Sequence, residues 1–419
     1  MSFELAAFLI LSILTLVVGA VLGQRLGTWF PPRLLLIALG FRIVGSTVRY
    51  EVLRRFYGGL GDAVVYYYDG LEKAGLLTAP GQSFLTLDFW QYQGGSWWGT
   101  PFLTNISSIV LSVIGPSMRG EFLVFSLFAF VGLYLIARAF WRVQPGDQAR
   151  SFTLWIWCWP SLWFWPASVG KEAVILLAFG LVVSGYAGDG KRMNWILAVA
   201  GLGLAFAIRP HVAAVLAMAA VSAHWLGTWT RFSLRRVAES IVALVVAVIA
   251  LQGMAAQFGL DLTDAEGVQE FVSFRATRTQ TGGSEIAPIS GGPTGIPMAF
   301  VNIWMRPFPW DVHNATALVA ALEILVFWYL VWKRREGVIL ALRNWRRHRL
   351  LRFAVPLLIA YTLMIGFTFS NLGIIARQRS PVFPFMLMLA LAAPEAATAA
   401  SRRSARGSPA RQRVPATAR

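Results

Sequence analysis

Apolar segments long enough to cross a lipid bilayer recur from one end of this 419-residue chain to the other. Hydrophobic residues make up 57% of the sequence and charged residues only 14%, which is far too apolar a balance for a soluble chain of this size. Helices and closed barrels alone can cross a bilayer, because the protein must satisfy every backbone polar group itself. The spanning segments therefore predict an all-α, polytopic transmembrane helix bundle.

Eleven spans are expected, each placed to within about four residues. They lie at 5–23, 34–48, 120–141, 152–167, 172–187, 194–208, 211–226, 237–254, 314–332, 353–370 and 381–394. Residues 1–394 then form the transmembrane domain. The first span is expected to be retained, because Glu4 replaces the basic start of a leader and no small-residue cleavage motif follows at the right place. Residues 395–419, rich in Ala, Arg, Ser and Pro, are expected to form a disordered basic cytoplasmic tail.

The distribution of positive charge predicts the orientation of the bundle. About two thirds of the 37 Lys and Arg residues fall in one set of loops and in the tail, and that side should be cytoplasmic. The N-terminus is then outside and the C-terminus inside. The outer face carries two long segments, 49–119 and 255–313, and three short tips at 168–171, 209–210 and 371–380. Orientation thus accounts for the formal charge of +17, and no nucleic-acid partner is expected.

The first outer segment contains a candidate catalytic carboxylate. In FYGGLGDAVVYYYDGLEKAG (56–75), a glycine-rich turn precedes a helix expected over 63–74. Asp62 is placed either to cap that helix or to act as a general base. Asp69 follows seven residues later and shares its helix face. Tyr66, one of three consecutive tyrosines, suits a membrane-interface belt or a platform for sugar rings.

Two short outer tips offer cations. Lys171 follows Gly170 at the start of a new helix, where it is either a charge pointing outward from a hairpin tip or part of a phosphate cradle. Arg209 and His211 flank a proline between two apolar runs, an arrangement that favours anion binding over a structural ion pair.

The later outer segments add further candidates for substrate binding. Arg306 lies in the aromatic sequence IWMRPFPWDVH together with Trp310 and His313, which resembles the rim of a binding site. Arg377 and Arg379 lie two residues apart on the last tip, where they suit bidentate phosphate contacts or form an exposed basic loop.

One carboxylate is predicted inside a span. Glu323 lies in the middle of the segment 314–332, where a buried charge requires a partner. Arg42 is the basic residue placed within another span, so an Arg42–Glu323 pair is expected. Motifs for nucleotide binding, redox chemistry and zinc proteolysis are not evident.

Four short motifs resemble multi-spanning bacterial proteins of polysaccharide assembly, and the nearest named group is the GT-C superfamily of polyprenyl-phosphate-sugar-dependent glycosyltransferases. The motifs are GDAVVYY, PASVGKEAVIL, RPFPWD and ARQRSP. The resemblance implies that Asp62 acts as the base or orients the acceptor. It also implies that the lipid phosphate is held by Lys171, Arg209, Arg306, Arg377 and Arg379. The adjacent acidic pair of the family is absent, because Ala63 follows Asp62, so no metal ligand is assigned and a divalent cation stays an open alternative.

This resemblance predicts an integral membrane glycosyltransferase of the bacterial inner membrane. It would move a sugar from a polyprenyl-phosphate donor to a glycan or lipid acceptor on the extracytoplasmic face, among membrane lipids. Three alternatives stay open. A polymerase using a lipid-diphosphate donor would depend less on Asp62. A transporter or flippase would need charges along the bundle interior, and a non-catalytic subunit of a membrane complex would tolerate substitutions on the outer face.

Overall fold

The computed structural model describes residues 3–77, 83–90, 97–188, 193–226, 263–280, 283–289 and 294–392, and scattered positions from 234 to 261. Its α-helices, numbered here in chain order, are α1 (Phe3–Leu26), α2 (Pro32–Phe56), α3 (Asp62–Leu77), α4 (Leu87–Trp90), α5 (Thr100–Ile114), α6 (Met118–Val143), α7 (Asp147–Cys158), α8 (Pro160–Phe164), α9 (Lys171–Ala187), α10 (Trp195–Ile208), α11 (Pro210–Leu226), α12 (Ala265–Arg278), α13 (Gly295–Trp304), α14 (Ala315–Lys333), α15 (Arg335–Arg343), α16 (Arg349–Thr368), α17 (Leu372–Arg379) and α18 (Phe383–Leu391). Two 3₁₀ turns cover Pro309–Asp311 and Ser380–Val382.

The predicted all-helical fold is confirmed over the described residues, which contain helices and no β-strand. One isolated antiparallel bridge joins Glu285 to Asn371 in that part of the chain. Within those residues, four helices are long and apolar enough to cross a membrane: α1, α6, α14 and α16. Shorter helices occupy most of the other predicted spans. The predicted span 237–254 lies largely outside the described residues, and the predicted tail 395–419 lies wholly outside them.

The predicted span 152–167 is wrong as a continuous helix. Helix α7 ends at Cys158, and Pro160 begins the short helix α8 after one residue of extended backbone. Proline has no backbone N–H and clashes with the preceding turn of a helix, and it is favoured at the first position of a new one, which is where Pro160 lies.

The predicted Arg42–Glu323 pair is also corrected, and the helix break explains why. Arg42 Nη1 donates to the Leu162 carbonyl at 2.6 Å, and Glu323 Oε1 accepts from the Ser161 backbone N–H at 2.7 Å. A broken helix leaves backbone groups without intrahelical partners, and inside an apolar bundle other polar groups must satisfy them. The two buried charges therefore hold α8 between α2 and α14 instead of pairing with each other.

Glycines bring α6 and α9 into close contact. A Cβ at Gly132 would overlap the Leu176 carbonyl of α9, and a Cβ at Gly180 would overlap the carbonyl of Gly132. Small residues at such a crossing let two helix backbones approach closely, which is a common way to pack helices in membranes. This crossing fixes the axis of α9, and the axis in turn positions Lys171 and Glu172 at its amino end.

The connecting segments gather at two ends of the bundle. At one end, His348 Nε2 lies 3.0 Å from Gln144 Oε1, and Arg349 Nη2 donates to the Tyr186 carbonyl at 2.7 Å. These residues belong to or adjoin loops that the charge distribution assigned to the cytoplasmic side. The candidate site lies at the opposite end, and the segments predicted to share the outer face meet there.

Candidate functional site

A cavity of about 360 Å³ opens at the end of the bundle where α9 begins. Its wall combines parts of the chain that are far apart in sequence: the end of α2, the start of α3, the loop before α9, the segment around Ser284, the loop before α14 and the start of α17. Charged residues on the wall are Arg49, Asp62, Lys171, Glu172, Asp311 and Arg377. The sequence-predicted residues Asp62, Tyr66, Lys171, His313 and Arg377 therefore share one cavity.

In the part of the chain that the structure describes, four helices begin at this cavity, namely α3, α9, α14 and α17. Asn314 and Asn371 cap α14 and α17 by accepting from backbone N–H groups of the first turn, whereas Gly170 gives α9 no side-chain cap. The amino end of a helix carries a partial positive charge and N–H groups that point outward. Several such ends around one space favour an anion there.

Glu172 joins two of the predicted cations. Its Oε1 lies 3.0 Å from Arg209 Nη2 and 3.0 Å from Arg377 Nε, and only 6% of its side chain is exposed. The Glu172 carboxylate raises the pKa of Arg377 above its ordinary value, against the opposing effect of burial. Arg209 Nη1 also donates to Gln378 Oε1 at 2.5 Å. This network fixes both guanidinium groups relative to α9.

Arg377 also connects this network to the predicted catalytic carboxylate. Its Nη2 lies 3.5 Å from Asp62 Oδ2, across 315 positions of sequence. The Asp62 side chain is 64% exposed, so it is accessible to a second reactant. One guanidinium group thus lies between a buried carboxylate and an accessible one.

Lys171 and Arg49 carry positive charge that this network does not neutralise. Lys171 Nζ donates to Thr100 Oγ1 at 3.2 Å. The pKa of Lys171 is lowered mainly by burial and, to a smaller extent, by the nearby positive charge of Arg209. The Arg49 guanidinium lies 5.5 Å from the ring centroids of Phe164 and Trp165. Its Nε and Nη1 have no hydrogen-bond partner among the described residues. An anion in the cavity would stabilise the positive charge of both side chains.

The rim beside α14 is fixed by a bidentate ion pair. Arg306 Nε and Nη2 donate to the two oxygens of Asp311 at 2.9 and 2.7 Å, and the Phe308 backbone N–H donates to Asp311 Oδ2 at 2.8 Å. The Arg306 hydrogen bonds hold the pKa of the Asp311 carboxyl below its usual range. Arg306 thus reaches the cavity indirectly, by holding the loop that contains His313.

His313 and Ser284 form a hydrogen-bonded pair on the cavity wall. His313 Nδ1 lies 2.9 Å from the Asp311 carbonyl oxygen, and His313 Nε2 lies 2.7 Å from Ser284 Oγ. A carbonyl oxygen only accepts, so Nδ1 carries the proton of the neutral ring and Nε2 accepts from the serine hydroxyl. Backbone bonds from Ile286 N to Ser370 O and from Leu372 N to Ser284 O hold the serine segment against the start of α17.

Tyr66 and Asp69 lie on α3 but differ in their relation to the cavity. Tyr66 is buried on the cavity wall, and burial raises the pKa of its hydroxyl, which therefore stays a hydrogen-bond donor. Asp69 shares the helix face of Asp62, as predicted, but seven residues of helix separate the two by about 10 Å. Asp69 is not among the residues that line the cavity.

Five other sequence-predicted residues also lie off the cavity wall: Arg209 and Arg306, which contact it through Glu172 and Asp311, and Trp310, His211 and Arg379. Trp310 is 79% exposed and stacks on Phe308. His211 lies in the first turn of α11, two residues after Arg209, and does not line the cavity. Arg379 departs most from its predicted phosphate contact. It is 1% exposed, and its Nη1 donates to the Ile303 and Arg306 carbonyls at 2.6 and 2.9 Å.

The separation of Arg377 from Arg379 has a simple geometric cause. Both lie in α17, and residues two apart on an α-helix point to nearly opposite faces. The predicted bidentate arrangement assumed a loop. In the helix, Arg377 faces the cavity while Arg379 faces the packed interior.

Sequence reasoning did not assign Glu172, Arg49 or Ser284 to the site. Glu172 could have been suspected, because it is a carboxylate directly beside a predicted cation at a helix start. Arg49 stands in a basic stretch that looked like the end of a span. Ser284 gives no signal in the sequence, because only the bridge to Asn371 brings it to the cavity.

Comparisons of this chain with protein-family models, with curated proteins and with solved structures found no match. Over the part of the chain that the structure describes, His, Cys, Asp and Glu side chains form no group of three that could hold a metal ion. Among the described residues, the site brings five cations, Arg49, Lys171, Arg209, Arg306 and Arg377, around three carboxylates and four helix amino ends.

Proposed function

We propose that this protein is an integral membrane glycosyltransferase that moves a sugar from a polyprenyl-phosphate donor to a glycan or lipid acceptor. The observation that carries the proposal is the cationic cavity at one end of an apolar bundle, with an accessible carboxylate beside Arg377. A membrane-embedded bundle gives access to a lipid chain, and the cavity offers positive charge to its phosphate.

The chemistry requires little beyond positioning and charge. A sugar on a lipid phosphate is already activated, so the enzyme must hold the donor, orient an acceptor hydroxyl and stabilise the departing phosphate. Lys171 and Arg377 would hold the phosphate, and Arg49 would add positive charge from the cavity wall. Asp62 is accessible and close to Arg377, so it would orient the acceptor next to the bond that breaks.

The proposed setting follows from the charge distribution and the resemblance. We place the cavity on the extracytoplasmic face of a bacterial inner membrane, where lipid-linked sugars meet growing glycans. The more basic end of the bundle would then face the cytoplasm.

The test is a transfer assay with purified protein, labelled polyprenyl-monophosphate sugars and candidate glycan or lipid acceptors. The wild type should transfer sugar, and Asp62→Asn should lower turnover by about 100-fold because the acceptor is no longer oriented correctly. Glu72→Gln is the matched control, because Glu72 is an exposed carboxylate on the same helix that does not line the cavity. Its turnover should equal that of the wild type.

Two results would contradict the proposal. If no donor–acceptor pair gives product with the wild type, the assigned activity is wrong. If lipid-diphosphate sugars are used and monophosphate sugars are not, the protein is a polymerase of the alternative kind, and Asp62→Asn should then have little effect.

A further inference from the structure

We propose that His313, through the hydroxyl of Ser284, is the general base that removes the proton from the acceptor hydroxyl. This inference rests on the proposed function and deepens it, because it separates proton removal from the orienting role given to Asp62. It is carried by the hydrogen-bonded series from the Asp311 carbonyl through His313 to Ser284, all on the cavity wall.

The tautomer of His313 makes it a base toward the cavity. Its Nδ1–H donates to the Asp311 carbonyl at 2.9 Å, so the lone pair of the ring lies on Nε2. Ser284 Oγ lies 2.7 Å from Nε2 and donates its proton there. The lone pairs of the serine oxygen stay available to accept a hydrogen bond from a hydroxyl in the cavity. A base held in one tautomer by a third group is the arrangement that activates hydroxyls in many enzymes.

The structure holds this pair in place from both sides. The bidentate Arg306–Asp311 pair fixes the loop whose carbonyl orients His313. The bridge between Glu285 and Asn371 fixes Ser284 against α17, the helix that carries Arg377. The group that takes the proton and the group that receives the leaving phosphate are therefore positioned by neighbouring elements.

Asp62 is less suited to proton removal than His313. Its Oδ2 lies 3.5 Å from Arg377 Nη2, so this oxygen is already engaged in an ion pair with the group that receives the leaving phosphate. The same ion pair keeps Asp62 as a hydrogen-bond acceptor that can orient the acceptor hydroxyl. The two groups would thus serve different steps.

The acceptor hydroxyl gives its proton to Ser284 Oγ while the serine proton passes to His313 Nε2. The acceptor oxygen then forms a bond to the anomeric carbon of the sugar. The bond from that carbon to the phosphate oxygen breaks, and the lipid phosphate leaves with the electron pair toward Lys171 and Arg377. The imidazolium later releases its proton to water.

The test compares turnover and donor binding in three variants. His313→Ala should lower kcat by about 100-fold or more and leave donor affinity within about threefold, and added imidazole should restore part of the lost turnover. Ser284→Ala should also lower kcat, whereas Ser284→Thr, which keeps the hydroxyl, should retain most of it. The melting temperature of each variant is measured alongside to show that the protein is folded.

The possible failures are distinguishable. A wild type without transfer activity would overturn the proposed function and this inference together. A wild type that is active, with a folded His313→Ala variant that turns over normally or is not restored by imidazole, would overturn the inference alone. Equal turnover by Ser284→Ala and the wild type would remove the serine from the proton path and contradict the relay proposed here.

Discussion

Arg377 Nε lies 3.0 Å from Glu172 Oε1, which joins the first turn of α9 to the last turn of α17 across 205 positions of sequence. Arg209 shares the same carboxylate oxygen from the end of α10, also at 3.0 Å. Three helices that are distant in the chain therefore meet at one buried carboxylate. The cationic cavity depends on this junction.

Replacing Glu172 by Gln should destabilise the protein strongly. The change leaves the mostly buried Arg209 without its ion-pair partner and Arg377 with only the exposed carboxylate of Asp62, and breaking a buried ion pair typically costs about 3–5 kcal/mol. Glu51→Gln is the matched control, because Glu51 also accepts from two arginines, Arg55 and Arg119, but at a more exposed position.

The measurement for Glu172 is the melting temperature of the purified variants in one detergent. A surface ion pair contributes about 0–1 kcal/mol, so the control should melt close to the wild type. Equal drops in melting temperature for the two variants would show that the Glu172 ion pairs stabilise the protein no more than a surface ion pair does.

Replacing Arg306 by Gln should destabilise the protein in a pH-dependent manner. The Arg306 hydrogen bonds lower the pKa of Asp311, so their stabilising contribution is present above the ordinary aspartate pKa and is lost as pH falls through the lowered value. The melting temperature of Arg306→Gln should therefore lie below that of the wild type at pH 7. The gap should close as pH falls below about 3.9. A gap that stays constant from pH 7 to pH 3 would contradict this account.

Replacing Gly132 by Ala should weaken the crossing of α6 and α9. The added methyl group would overlap the Leu176 carbonyl, and overpacking of this kind typically costs about 1–3 kcal/mol. Gly203→Ala is the control, because Gly203 lies inside α10 and no atom of the described residues comes within 4 Å of an added Cβ. That substitution should leave stability equal or slightly higher, since alanine favours helix more than glycine. Melting temperatures of the two variants decide the matter.

Part of this architecture was predictable from the sequence, because the length of an apolar segment is set by the bilayer and not by detailed packing. Asp62, Lys171, Arg209 and Arg377 were expected to meet, and they lie on the cavity wall or bond to it. The break at Pro160 was missed because the span 152–167 was placed by its apolar length, although the proline that interrupts the helix is visible in the sequence.

Other features could not be predicted because they depend on tertiary contacts. Arg379 was given a phosphate role that the helical geometry of α17 prevents. Ser284 reaches His313 only through a β-bridge between segments 86 positions apart. Neither relationship leaves a periodic pattern in the sequence.

The predicted orientation has a direct test by thiol labelling. In a Cys158→Ser background, Leu60→Cys places an exposed thiol near the cavity, and Arg335→Cys places one at the opposite, basic end. A maleimide that cannot cross membranes should label position 60 but not position 335 in spheroplasts of the expressing cells. The reverse pattern would contradict the assignment of the cavity to the outer face.

The central claim is that the cavity binds the phosphate of a lipid, and equilibrium binding of farnesyl phosphate to the purified protein tests it most directly. Arg377→Gln should weaken this binding by about 10-fold or more, since hydrogen bonds to charged groups contribute about 1.5–3 kcal/mol. Arg55→Gln, which changes an exposed arginine outside the cavity, should bind like the wild type. Farnesol, without the phosphate, should bind much more weakly to all three proteins. Equal affinity of the wild type and Arg377→Gln for farnesyl phosphate would contradict the claim.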